Sequence, residues 1–398
     1  MHSEGALTLS RQYDILRNCV ANNLDLEDEL RRLDYTFDAL HYRYNGGIQK
    51  SSAMYAQADA LSCKKNNIPM VSFFSGCGGA DIGFEYAGFE HVASFEVNGL
   101  FCETLRKNRP SWKVFGPPHD SGDLKKREAT IASLEQIGVS EYFEGVFHGG
   151  PPCQSFSIAA NQRFAKSGDN FKRVGFEHGD YGNLLFDFIH YVVAFKPRVF
   201  LIENVPGLAS IDGGKQLALA LEILARNGYV VNEPWFLDAA MYGVPQHRRR
   251  LIICGSRGKR QVMCPEPDMV EVPCYKALEK SLDGIENHET RKHRAASVLR
   301  YMELKYGQRD HLGRVDRLDP DCASKTVIAG GTAGGGRSHL HPFVPRTLSV
   351  RESARLQTFP DGFVFTGPPA RQFTQVGNAV PPVLALKIAR AIYCSIYA

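Results

Sequence analysis

Apolar residues recur first at helical spacing and then at strand spacing, and the change divides the chain. Tyr13, Ile15, Leu16 and Val20 suit one helical stripe, and Leu24, Leu26, Leu30, Leu33 and Phe37 suit a second. Asn23 or Asp25 is placed to cap the second helix, and Asn45-Gly-Gly47 to end it. From Pro69 onward, short apolar runs alternate with helical segments. Pro69-Met-Val-Ser-Phe-Phe74 reads as a strand that feeds Ser75-Gly-Cys-Gly-Gly-Ala-Asp-Ile-Gly83, where a helix opens. His91-Val-Ala-Ser-Phe95 ends in Glu96, and Val114-Phe115 is followed by Gly122-Asp123-Leu124. Gly145-Val-Phe-His148 runs into Gly149-Gly-Pro-Pro-Cys-Gln-Ser-Phe-Ser157, whose glycines and prolines stop regular structure abruptly. Leu184–Val193 is an apolar helix, and Pro197–Ile202 is a buried strand ending in Glu203-Asn204. Lys215–Asn227 is an amphipathic helix closed by Gly228. Strands alternating with helices predict an α/β domain.

Composition narrows the class. The chain has 398 residues, 43% hydrophobic and 23% charged, as ordinary globular proteins do. It contains no run of roughly eighteen apolar residues, so no membrane span is expected. Met1-His-Ser-Glu-Gly5 lacks a basic-then-apolar leader pattern. Ten cysteines without a Cys-x-x-Cys pair suit free thiols in a reducing compartment, so a cytoplasmic location is expected. His339-Leu-His341 comes nearest to metal spacing, but no cysteine stands close by, and no metal is expected. The net charge of +4 means that a polyanion must be met by local patches.

The strand ends hold the chemistry. A glycine turn after the first strand lets a ligand approach the backbone, and an acid at the end of the next can take ribose hydroxyls. Glu96 and Asp123 stand at such ends, which points to an adenosine-bearing cofactor. There is no phosphate-binding Gly-x-x-x-x-Gly-Lys-[Ser/Thr] loop, and Gly76-x-Gly78-Gly79 departs from the dinucleotide spacing. A cofactor without phosphates fits better. A lone Cys is more often buried than reactive, yet Cys153 on its rigid turn is presented rather than packed. The polar, glycine-containing stretch 158–183 reads as a loop able to act as a lid. Gln246, Arg248 and Arg250 alternate on an extended stretch, which would put all three side chains on one binding face.

Six blocks occur in a fixed order: Phe74-Ser-Gly-Cys-Gly-Gly79, Pro151-Pro-Cys-Gln154, Glu203-Asn-Val205, Gln246-x-Arg248-x-Arg250, Arg351-Glu-Ser-Ala-Arg-Leu-Gln-Thr-Phe-Pro-Asp361 and Gln375-Val-Gly-Asn-Ala-Val-Pro-Pro382. Together they resemble the DNA (cytosine-5)-methyltransferases of bacterial restriction-modification type, over roughly residues 70–398. One departure is Ser72, where the family often has Asp. The resemblance implies an S-adenosylmethionine-dependent, Rossmann-like methyltransferase fold with a smaller target-recognition domain and an N-terminal helical extension. The expected boundaries are 1–67 for the extension, 68–257 for the catalytic and cofactor-binding domain, 258–345 for target recognition, and 346–398 for late motifs and a returning C-terminal helix.

By the same resemblance, the Cys153 thiolate attacks C6 of a cytosine flipped out of double-stranded DNA, and C5 then accepts a methyl group. Glu203 contacts N3 and the exocyclic amine, Arg248 holds O2 and Arg250 braces the site. Phe74, Gly76, Gly78, Glu96, Asp123, Leu124, Pro152, Leu184, Asn378 and Val380 hold S-adenosylmethionine. Gln154, Ser157, Arg163, Gln246, Thr332 and Arg337 meet DNA. A cognate restriction endonuclease is the implied partner, and the protein is expected to be a monomer. A tRNA cytosine methyltransferase would resemble Pro-Pro-Cys-Gln-Pro-Phe-Thr instead of the Ser155 and Ser157 found here. A non-catalytic DNA-binding relative would be expected to lose Cys153, Glu203 or Arg248, and all three are present.

Overall fold

The computed structural model describes residues 7–152, 184–329 and 339–398. Apolar runs of the alternating region form a sheet of eight strands: β1 (Pro69–Phe73), β2 (Glu90–Phe95), β3 (Val114–Phe115), β4 (Val146–Gly149), β5 (Val199–Asn204), β6 (Tyr229–Val231), β7 (Trp235–Asp238) and β8 (Arg249–Arg257). Their order is β3-β2-β1-β4-β5-β8-β6, with β7 also on β8. The strands from β3 to β5 are mutually parallel, and β8 runs antiparallel to β5, β6 and β7. Helices cover central parallel strands, which explains their nearly continuous apolar residues. Phe73 of β1 lies 5.4 Å from Phe95, 5.0 Å from Phe147 and 5.1 Å from Phe188, at the heart of the core. The helix Pro382–Ile392 packs on Gly79–Tyr86 so closely that a Cβ on Gly83 would meet the Pro382 carbonyl at 2.5 Å.

The chain divides into two units. The sheet unit holds Ala56–Gly243, Arg248–Met269 and Ala379–Ala398. A loop-rich unit holds the described part of Met1–Tyr55 together with Val244–His247 and Val270–Asn378. The boundaries expected at 67 and 345 therefore do not divide it. The N-terminal helices Leu9–Ala21 and Leu26–Arg32 are not a separate extension, because they share one core with the helix Ala295–Met302. Asp25 caps the second helix, accepting from the amides of Glu27 and Asp28. That helix ends at Arg32, well before Asn45-Gly-Gly47, because Asp34 turns into a left-handed backbone (φ 60). Val20 and Leu24 face solvent, and Gln12 takes a buried place, donating to the Leu7 carbonyl and accepting from the His41 amide. The unit also has a three-stranded sheet of β9 (Arg309–Asp310), β10 (Val315–Arg317) and β11 (His339–Leu340), in the order β11-β10-β9. By length and composition, residues 369–397 could cross a membrane. They break between Asn378 and Pro382 into two helices, and the apolar residues of the second are buried in the sheet unit.

Candidate active site

Strand order reverses at β1, and in open α/β sheets ligands bind outside the carboxyl ends of strands at such a point. After β1 the backbone turns sharply, with positive φ at Phe74 (54), Gly76 (57) and Gly78 (89). The Gly76 amide donates to Glu96 Oε2 at 2.8 Å and the Asn98 amide to Glu96 Oε1 at 2.7 Å. Glu96 thus ties the turn after β1 to the end of β2, and burial pushes its carboxyl up from the usual range. Ser72 accepts the Ser75 hydroxyl at 2.8 Å, which gives this turn a neutral tie. The chain after β3 folds onto the same place: Cβ atoms on Gly116 or Gly122 would lie 2.1 Å from the Glu96 carbonyl. Only glycine allows that approach, and it delivers Asp123 beside the end of β2. Leu124 is buried, and its carbonyl accepts the Tyr191 hydroxyl at 2.6 Å. Gly78 caps the helix Gly79–Tyr86, and Leu184 is buried at the start of Leu184–Phe195.

Sequence reading did not single out Val97. It is 63% exposed between Glu96 and Asn98, whose acceptor and amide are fixed. An apolar residue directly after a strand-end acid was the available signal. A buried carboxylate, an exposed apolar side chain and glycine-turned backbone fit an adenosine moiety.

The second cluster stands at the ends of β4 and β5. These strands pair in parallel, Gly149 with Ile202. A Cβ on Gly150 would lie 3.1 Å from Glu203 Oε2, and Asn204 Nδ2 donates to the Pro151 carbonyl at 3.3 Å. The Gly149–Pro152 turn is therefore braced by the end of β5. Glu203 Oε1 is 2.6 Å from Arg250 Nε on β8. Arg248 is buried, and its amide donates to Asp238 Oδ1 at 2.9 Å. Burial, and next the like charge of Arg250, hold the Arg248 guanidinium well below its usual pKa. The structure thus brings Glu203, Arg248 and Arg250 together with the turn that leads into Cys153.

Gln246, expected at the DNA, is fully buried in the ligand-free structure. Alternation holds, with His247 and Arg249 exposed, but Gln246 and Arg248 face inward. Within the loop-rich unit, the Gln246 amide group donates to the Leu356 carbonyl and to Gln357 Oε1, and accepts from the Val327 amide at 2.8 Å. An alternating pattern identifies a face without saying which way it points. Asn378 ends the helix Pro369–Asn378 in the loop-rich unit, and Val380 belongs to the sheet unit. Cys153, Gln154, Ser157, Arg163, Thr332, Arg337 and the loop 158–183 lie outside the described residues. His339 directs Nε2 at the Lys325 and Thr326 carbonyls, and no group of three metal-ligating side chains occurs among the described residues.

A sheet of this order, with a glycine turn and an acidic strand end at its switch point, defines a Rossmann-like methyltransferase. The model of the C-5 cytosine-specific DNA methylases matches residues 68–394, and the chain belongs to that family. It is 33% identical over 351 residues to the type II methyltransferase M.PspPI of Psychrobacter sp., covering 81% of this chain and 78% of that protein. It is 32% identical over 381 residues to the type II methyltransferase M1.HphI of Haemophilus parahaemolyticus, covering 88% of this chain and 95% of that one. Among solved structures, a DNA modification methyltransferase encoded within a prophage (E. coli) shares the fold with a TM-score of 0.67 at 23% identity, over 83% of this chain and all of that one. The enzyme methylates cytosine C5 in DNA and uses S-adenosylmethionine as methyl donor.

Proposed function

We propose that Cys153 is the nucleophile and that Glu203, Arg248 and Arg250 complete the catalytic site. The observation that carries this reading is the meeting of the Gly149–Pro152 turn with Glu203 and its Arg250 partner. Cys153 follows Pro152 directly in the chain. Its thiolate forms a bond to C6 of a flipped cytosine, and the C5–C6 π electrons move onto C5. Glu203 binds N3 and the exocyclic amine, sharing a proton there as negative charge builds in the ring. Arg248 holds O2, and Arg250 keeps the Glu203 carboxylate in place. S-adenosylmethionine supplies the electrophilic methyl group that C5 takes. Loss of the C5 proton then expels the thiolate and restores the ring. Glu96 binds the ribose, Val97 packs on the adenine, and Asp123 accepts from the adenine amine. The loop-rich unit reads a specific duplex sequence, and the mark protects cytoplasmic host DNA from a cognate endonuclease.

The test is transfer of labelled methyl from S-adenosylmethionine to duplex DNA and to tRNA. Label should enter DNA alone, and Cys153→Ser should abolish it. Glu203→Gln should slow it about 10²–10⁴-fold. A target duplex carrying 5-fluorocytosine should trap a covalent complex with the wild type and none with Cys153→Ser. Turnover by Cys153→Ser at the wild-type rate would overturn the mechanism.

A further inference from the structure

Residues 38–55 take no part in the chemistry above, yet they cross much of the loop-rich unit. The Tyr42 hydroxyl donates to the His341 carbonyl at 2.8 Å, the Gln49 amide to Asp321 Oδ1 at 2.9 Å, and the Tyr55 hydroxyl to the Arg355 carbonyl at 2.9 Å. Asp38 reaches Arg346 at 3.3 Å. This belt has its firmest hold on Arg317, a fully buried residue at the end of β10. All five guanidinium N–H groups of Arg317 are engaged. Nη1 donates to the Tyr44 and Leu304 carbonyls at 2.6 and 2.7 Å, and Nη2 to Asn45 Oδ1 and the Pro342 carbonyl at 2.7 Å each. Nε donates to the Pro342 carbonyl at 3.0 Å. Tyr42 covers one ring contact at 3.5 Å and Tyr306 another at 4.1 Å. None of the hydrogen-bond partners is a carboxylate. A planar fork satisfied only by carbonyls and an amide oxygen, with aromatic rings against it, fixes direction as well as charge.

We propose that Arg317 is a positioning residue for DNA recognition and that the belt is part of the recognition machinery. The proposal rests on the reading of the loop-rich unit as the one that meets DNA. Arg317 pairs in register with Leu340 of β11. His339, beside it, binds the Lys325 and Thr326 carbonyls at 3.1 and 3.3 Å. Tyr42 and Arg317 therefore set the position of β11, and β11 in turn holds the backbone at Lys325 and Thr326. A displaced β11 would move the DNA-facing surface and leave the sheet unit's cofactor end untouched.

The experiment measures kcat, the KM for duplex DNA, the KM for S-adenosylmethionine and thermal melting for full-length Tyr42→Phe and Arg317→Lys. Tyr42→Phe removes one hydrogen bond and should raise the DNA KM about five-fold. Arg317→Lys should raise it about ten-fold or more, because a point charge cannot replace the fork. kcat and the S-adenosylmethionine KM should stay at wild-type values in both. An unchanged DNA KM in Tyr42→Phe, or equal loss in kcat and both KM values, would overturn the proposal. If melting shows that Arg317→Lys unfolds the unit, Tyr42→Phe decides. A wild type that methylates no duplex would instead overturn the reading of the loop-rich unit.

Discussion

The sheet unit and the loop-rich unit are held together by different chemistry. In the first, fully buried bulk is mostly aromatic: Phe73, Phe95, Phe147, Phe188 and Phe200 fill the space around the parallel strands. In the second it is largely arginine: Arg317, Arg351 and Arg355 are each at most 2% exposed. The reason lies in the backbone. Sheet strands satisfy one another's carbonyls, but irregular segments leave carbonyls that need donors. Arg351 serves those of Glu286, Pro360 and Phe363, and Arg355 those of Lys280 and Ser281 while pairing with Asp361. Where regular structure ends, a buried guanidinium does the work of a strand neighbour.

The contrast is open to test because both tryptophans, Trp112 and Trp235, lie in the sheet unit. Their fluorescence follows that unit, and far-ultraviolet circular dichroism follows both. Phe73→Ala should cost about 3–5 kcal/mol and shift both signals. Arg351→Met should cost about 3 kcal/mol by stranding carbonyls, and should shift dichroism ahead of fluorescence. Coincident shifts in both variants would break the comparison.

Acid should sharpen it. Burial lowers His293 and His341 in the loop-rich unit to about 4, and His148 in the sheet unit to about 4. Such groups bind more protons when unfolded, where the value is about 6.5, so their contribution is full above that pH and lost as pH falls toward 4. Burial also lowers His288 and His339 in the loop-rich unit, against His190 in the sheet unit, so acid should cost the loop-rich unit more. Denaturant melts at pH 7 and 5 should show dichroism moving further than fluorescence. The smallest effect belongs to Asp38→Asn: that carboxylate is 62% exposed, so its pair with Arg346 should contribute under about 1 kcal/mol. A larger loss in a melt would mean that the belt is held by charge rather than by Tyr42 and Arg317.

The sheet unit was far more legible in sequence than the loop-rich one. Glu96 and Glu203 could be placed because buried parallel strands are continuous apolar runs, and such runs end visibly. The inward direction of Gln246 and Arg248 was not legible, because alternation does not distinguish an inward face from an outward one. Val97 was not singled out because one exposed apolar residue carries no periodicity. The membership of residues 7–55 in the loop-rich unit was not legible either. Arg317 reads in sequence as one cation in a modestly basic stretch, and its bonds to Tyr44 and Asn45 span 273 and 272 residues.

That separation has a consequence for how the protein is made. The belt leaves the ribosome before Arg317, which follows some 272 residues later. At roughly 5–20 residues per second, Tyr42 waits on the order of tens of seconds for the cation it will cover. The strands β1 to β7 are synthesised within that interval, so most of the sheet can assemble while the N-terminal helices still lack Ala295–Met302. For that time Leu16, Leu26 and Leu30 have no core to enter, and slowed translation between residues 250 and 320 should lengthen their exposure to chaperones.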